Sequence, residues 1–174
     1  GSTYYIRVNG FNSSVGDFQL NMGDLPNNAC ANAITVGNGS VGFSNRGANT
    51  DGVANGLCTD ISGGQQVNQD VWFIYQATCA GTLTIDTFGT TFDTKLAAYS
   101  DAFACPPTSV LACNDDTGGL QSQVSFATVP GSFYKIRVGG YLAGTGCGLL
   151  NITCSTPCPW QADGCFADYN NDDG

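Results

Sequence analysis

The side chains of this 174-residue chain that could do chemistry are few in kind: fourteen acids, all of them Asp, nine cysteines and a scatter of aromatics, with no His and no Glu. Carboxylates without a partner base suit hard-cation binding or, in pairs, glycoside hydrolysis. Asn114-Asp115-Asp116, running into Thr117-Gly118-Gly119, reads either as a calcium loop or as a polar turn. The loop would need further oxygens from Asp93 or backbone carbonyls, whereas Asx-turn chemistry explains the same residues with no metal and is the favoured reading. Adjacent acids such as Asp115/Asp116 and Asp172/Asp173 diverge in an extended chain, which argues against a glycosidase. The missing His removes Ser-His-Asp and Cys-His nucleophile systems and His-ligated zinc. No catalytic centre is expected.

The cysteines stand at 30, 58, 79, 105, 113, 147, 154, 158 and 165, with no CxxC among them. Density of this kind points to disulfides and a secreted, oxidising setting rather than to zinc. Sequons at Asn12, Asn38 and Asn151 are glycosylation candidates in such a setting. A net charge of −9 with only five Lys and Arg makes nucleic acid a poor partner. No apolar run approaches the ~20 residues that span a bilayer. With 42% hydrophobic residues the chain can still bury a core.

The elements that must position these groups are strands. Lacking Glu and carrying two Lys, the chain has few surface helix formers, and no amphipathic helix is visible. Short apolar or alternating runs recur at Ala33–Val36, Val71–Tyr75, Gly81–Phe88, Lys95–Tyr99, Val110–Cys113 and Gln123–Val129, with Gly, Asn, Asp and Pro between them. Val71–Tyr75 is apolar on both faces and reads as a central strand. The spacing is that of an all-β fold, an antiparallel sandwich.

An internal repeat stands out. Residues 1–22 and 131–152 align without gaps and agree at 10 of 22 positions, including Tyr4/Tyr134, Ile6/Ile136, Arg7/Arg137, Val8/Val138 and Leu20/Leu150. In the second copy Tyr134, Ile136 and Val138 alternate with Lys135 and Arg137, the pattern of a half-buried strand, and both copies read as β-hairpins. Residues 25–154 thus carry their own closing hairpin, and residues 1–24, which hold the first copy, are expected to be that of a preceding unit. Its face of Tyr4, Ile6, Val8, Phe18 and Leu20 is expected to pack on a neighbouring repeat or another copy of the chain. Residues 155–164 read as a Pro-containing linker and 165–174 as the start of a further motif, so both ends look cut from a longer array.

Strand positions suggest cysteine pairings: Cys105 with Cys113 across a Pro-Pro loop, Cys79 with Cys154 at strand ends, Cys30 with Cys58, and Cys158 with Cys165. Cys147 is left free or bonded outside the chain.

The stretches NNACANAITVG (27–37), DVWFIYQATCAGTLTIDTFGTTFDTKLAAYS (70–100), LACNDDTGGLQSQVSF (111–126) and GSFYKIRVGGY…LLNITC (131–154) resemble the bacterial pre-peptidase C-terminal domains. The resemblance implies a jelly-roll-like, disulfide-stapled β-sandwich in tandem arrays of secreted proteins, without catalytic activity. The sequence departs from the pattern at Phe88, where relatives often carry Cys, and at Cys147. The tail resembles the opening of a dockerin-type calcium loop, with Asp168, Asn170 and Asp172 at loop positions one, three and five, and Asp173 where Gly is usual. The expected function is a non-catalytic extracellular structural or adhesion module, a repeat of a surface protein or fibre. The alternative is a carbohydrate-binding module using Trp160, Tyr99, Tyr141 or Phe103, with Trp72 assigned to the core.

Overall fold

The computed structural model describes residues 25–156, together with residues 7, 8, 10, 12 and 14–16. Among the described residues nine strands form two sheets. They are β1 (Ile34–Val36), β2 (Gly39–Ser44), β3 (Asn68–Gln76), β4 (Thr82–Asp86), β5 (Thr94–Tyr99), β6 (Val110–Asn114), β7 (Gln123–Ala127), β8 (Phe133–Gly140) and β9 (Cys147–Ser155). A five-stranded sheet runs β1-β3-β8-β5-β6 and a four-stranded sheet β2-β9-β4-β7. Two short 3-10 turns, Cys30–Asn32 and Gly56–Cys58, are the helical segments among the described residues, and no helix there is long and apolar enough to cross a membrane.

The all-β sandwich expected from strand spacing is the fold that forms, with two adjustments. β1 joins the edge of the five-stranded sheet parallel to β3, so the sheet is not purely antiparallel. The strand at the middle of that sheet is β8, with β3 second from the edge. Strand β2 escaped the sequence reading because its composition, GSVGFS, is that of a loop. It is a strand because Val41 and Phe43 pack into the inter-sheet core while it pairs along β9.

Only β5 and β6 form a hairpin between consecutive strands; every other connection passes from one sheet to the other. This corrects the hairpin reading of 131–152. β8 belongs to the five-stranded sheet and β9 to the four-stranded one, and the segment between them arches over the sandwich end. Gly146 permits that arch, because a Cβ there would meet the Phe92 ring.

Two cores result. Between the sheets, one side of β3, β4, β5, β8 and β9 contributes Val71, Phe73, Leu83, Ile85, Leu96, Ile136, Val138, Leu150 and Ile152, all at most 2% exposed. The second lies on the outer face of the five-stranded sheet, where Trp72, Ala97 and Tyr99 pack against Val67, Cys30 and Cys58 from the covering loops. Strands β3, β5 and β8 are therefore buried on both faces.

Three disulfides are present among the described residues: Cys30–Cys105, Cys58–Cys113 and Cys79–Cys154. The last is the expected strand-end pair. The expected Cys30–Cys58 and Cys105–Cys113 pairs are replaced by crossed ones. Cys113 lies three residues along β6 from its start, about 10 Å at 3.3 Å per residue, and is so carried away from Cys105 in the loop. It faces the outer side of the sheet, where the 56–58 turn brings Cys58 to a Cα separation of 5.0 Å. Both crossed bridges pin loops over the second core. Cys147 is a free, exposed thiol at the start of β9. Cys158 and Cys165 lie outside the described residues.

Candidate functional site

The outer face of the five-stranded sheet carries three of the chain's five cations, and all three are buried. Lys95 points out from β5, and Lys135 and Arg137 from β8. The alternation in β8 predicts these two as solvent-facing. Instead they lie beneath the loops and hold them. The Arg137 Nε donates to Asp70 Oδ2 at 2.6 Å, and its Nη atoms donate to the carbonyls of Gly52, Val53 and Val67 at 2.8–3.0 Å. Its guanidinium stacks 5.3 Å from the Trp72 ring centroid. Gly52 must be glycine, since a Cβ there would overlap the guanidinium. Asp70 is fully buried and also accepts the backbone N–H groups of Asp51 and Gly52. Burial pushes its carboxyl upward, while Arg137 and those N–H donors push it back.

Lys95 Nζ donates to Asp60 Oδ2 at 2.6 Å and to the carbonyls of Cys58 and Gly64, each at 3.0 Å. That hydrogen bond, aided by Ser62, holds the Asp60 carboxyl well below the usual carboxylate range. Lys135 Nζ donates to the carbonyls of Ala104 at 2.8 Å and Cys30 at 3.4 Å. Burial lowers its ammonium pKa. The signal for these roles was present in the sequence: in a chain with so few cations, three stand inside strand runs. Nothing in a period-two pattern, however, says that loops will return to cover the polar side.

The carboxylates of Asp93, Asp115 and Asp116 converge at the β5 and β6 ends, with ligand oxygens all within 4.8 Å of one another. Asp93 precedes β5, and Asp115 and Asp116 follow β6. Asn114 makes the turn: its Oδ1 accepts the Thr117 hydroxyl at 2.7 Å and the Gln123 N–H at 3.0 Å. Turn chemistry thus accounts for Asn114 but not for the acids. One oxygen of Asp93 and one of Asp115 are buried with no hydrogen-bond partner. Burial pushes Asp115 up to about 6, with Asp116, Asp93 and Asp60 adding to the rise and Lys95 opposing it. Asp93 is also raised, by burial and then by Asp116. Crowded like charges around orphaned carboxylate oxygens are what a divalent cation relieves, and hard oxygen donors fit Ca²⁺.

The aromatic candidates for sugar stacking divide. Trp72 and Tyr99 are core residues, 0% and 1% exposed, with ring centroids 6.1 Å apart. The ring of Tyr141 lies 5.9 Å from Lys95 Nζ. Phe103 is exposed and packs on Phe133. Trp160 lies outside the described residues, as do Asp168, Asn170 and Asp172 of the tail and Tyr4, Ile6, Phe18 and Leu20 of the first repeat copy. Val8 is half-exposed. Among the sequons, Asn12 is exposed, and Asn38 bonds Tyr75 and Thr78. Asn151 is fully engaged: its amide donates to Asp86 and to the Phe88 carbonyl and accepts Ser40. A glycan on that nitrogen would replace one of its two N–H donors and so remove at least one of these donated bonds.

No family model matches the chain, and no curated protein matches it. Among solved structures, the chain is similar to the pre-peptidase C-terminal domain of collagenase from Bacillus anthracis. The two are 14% identical with a TM-score of 0.48, over 70% of this chain and 94% of that one. It is also similar to PliG, a periplasmic inhibitor of g-type lysozyme from Aeromonas hydrophila. That pair is 13% identical with a TM-score of 0.40, over 70% of this chain and 97% of the other.

Proposed function

We propose that the chain is a non-catalytic extracellular structural module, one repeat of a longer array, tied at one end by a calcium ion on Asp93, Asp115 and Asp116. The observation that carries the reading is the sealed outer face of the five-stranded sheet. A binding or catalytic sandwich presents a sheet face or a cleft; here that face is a second core, and its cations are spent on loop carbonyls and buried aspartates. Three disulfides support an oxidising, extracellular setting. Calcium would draw three carboxylates from the sandwich and its remaining oxygens from water and carbonyls, fastening the ends of β5 and β6 without chemistry of its own.

The array rests on the repeat. Residues 131–152 supply β8 and β9, each an interior strand with neighbours on both sides, one in each sheet. A segment so similar at 1–22 calls for equivalent neighbours in two sheets. The interior positions of both sheets within 25–156 are already filled by β3, β8, β5, β9 and β4, which supports an adjacent unit as the source of those neighbours. Burying Tyr4, Ile6, Val8, Phe18 and Leu20 there contributes ~1.5–3 kcal/mol per side chain before ordering costs. Sedimentation of the full chain over a range of concentrations tests this. Association is expected, weakened at least about 100-fold by Ile6→Ser with Leu20→Ser. A chain that stays monomeric at every concentration would refute the inter-unit role.

A further inference from the structure

We propose that the Cys30–Cys105 disulfide is a thiol-exchange site, with Lys135 as the positioning residue that makes it the first to open of the three bridges among the described residues. Lys135 Nζ lies 3.0 Å from Cys105 Sγ and 3.3 Å from Cys30 Sγ. Among the described residues no carboxylate is in ion-pair contact with it, and the two buried ion pairs there belong to Lys95 and Arg137. Its ammonium is thus held by two carbonyls and aimed at the bridge. The other two bridges have no such neighbour: the contacts of Cys79–Cys154 are with Thr128, and Cys58 offers Lys95 its carbonyl rather than its sulfur.

Access differs as well. Cys105 is exposed, whereas Cys113 and Cys154 of the other two bridges are half-buried, and the second member of each pair is buried: Cys30 at 4%, Cys58 at 2% and Cys79 at 9% exposure. Cys105 is therefore the bridged cysteine most open to an external thiolate, which attacks its Sγ. A new S–S bond forms between the incoming sulfur and Cys105 as the Cys30–Cys105 bond breaks. The electron pair leaves on Cys30 as a thiolate beside the Lys135 ammonium. A second external thiolate attacks the incoming sulfur, releases the Cys105 thiolate to the same ammonium, and departs as the oxidised external disulfide. Two external thiols are oxidised and one protein disulfide is reduced. Exchange is faster when the leaving thiol has a lower pKa, and an adjacent cation lowers it. A drop of roughly two units, at a sensitivity of about one half, gives about tenfold in rate.

The test uses the full chain with its free thiols first blocked by N-ethylmaleimide. Graded dithiothreitol is then applied, followed by acid quench, alkylation with a second reagent and peptide mapping. Cys30 and Cys105 are expected to take the second label about tenfold faster than Cys58, Cys113, Cys79 and Cys154. Lys135→Met is expected to remove that lead and Lys135→Arg to restore it. Opening of another bridge first, or of all three together, overturns the proposal even if Lys135→Met fails to fold. A folded Lys135→Met that keeps the lead overturns the role of Lys135.

Discussion

Arg137→Met should cost about 3–5 kcal/mol of stability, because it strands a fully buried Asp70 without its guanidinium. The loss extends beyond one pair. The same side chain satisfies the carbonyls of Gly52, Val53 and Val67, which would be left without that donor under the loop layer. For a chain of this length the midpoint of thermal unfolding should fall by roughly 10–15 °C. Adding Asp70→Leu should recover part of the loss, since no carboxylate is then orphaned, but not all of it, because the three carbonyls still lack the guanidinium. Urea unfolding of the two variants beside the parent measures both effects. An Arg137→Met protein within about 0.5 kcal/mol of the parent, the range of ordinary surface substitutions, would mean that this arginine is exposed.

The second large effect is calcium-linked and pH-dependent. With Asp115 raised to about 6, the metal-free folded chain holds a proton there that the unfolded chain gives up near the ordinary carboxylate range. The stability from this group is therefore fully present below that ordinary range and is lost as pH rises through 6. Calcium needs the ionised form, so its affinity should weaken about tenfold for each pH unit below 6. At pH 7.5 and 100 times its Kd, calcium should stabilise the chain by about 2.7 kcal/mol; at pH 5 and the same concentration the gain should be smaller by more than 1 kcal/mol. Asp115→Asn should abolish the calcium response and, without metal, stabilise the chain at pH 7.5 by removing one of three crowded charges. Calorimetry with and without calcium at the two pH values decides this. An equal calcium response at both, or one that survives Asp115→Asn, contradicts the site.

The architecture was legible where patterning is local. Eight of the nine strands lie within the apolar or alternating runs or the 131–152 repeat copy, give or take their ends, and the all-β class follows from them together with the want of helix formers. β2 was not legible, because Gly and Ser dominate it and its pairing with β9 spans more than a hundred residues of sequence. The two-layer course of 131–152 was misread because a Gly-rich connection between alternating strands looks the same whether the chain turns within a sheet or arches between sheets. Lys135 and Arg137 were read as solvent-facing for a related reason. Alternation marks which side chains share a face, and the covering of that face depends on loops 45–67 and 100–109, whose return is fixed by distant cysteines. The disulfide crossing followed from the same omission: Cys113 was placed by its nearness in sequence to Cys105, when its strand register turns it toward the 56–58 turn. The acidic cluster was half legible. Asp115 and Asp116 announce themselves, and Asp93 joins them because β5 and β6 are adjacent and antiparallel. The orphaning of the oxygens is a property of packing alone.

The sealed outer face of the five-stranded sheet is tested most directly by the accessibility of Trp72. The chain has two tryptophans, so Trp160→Phe leaves Trp72 as the sole reporter. Buried at 0% exposure under the loop layer, it should resist acrylamide quenching in the folded, oxidised chain and become quenchable on unfolding with reduction. Quenching of the native chain to the level of the unfolded one would mean that the face is open, and the sandwich would then offer Trp72 to a ligand instead of closing over it.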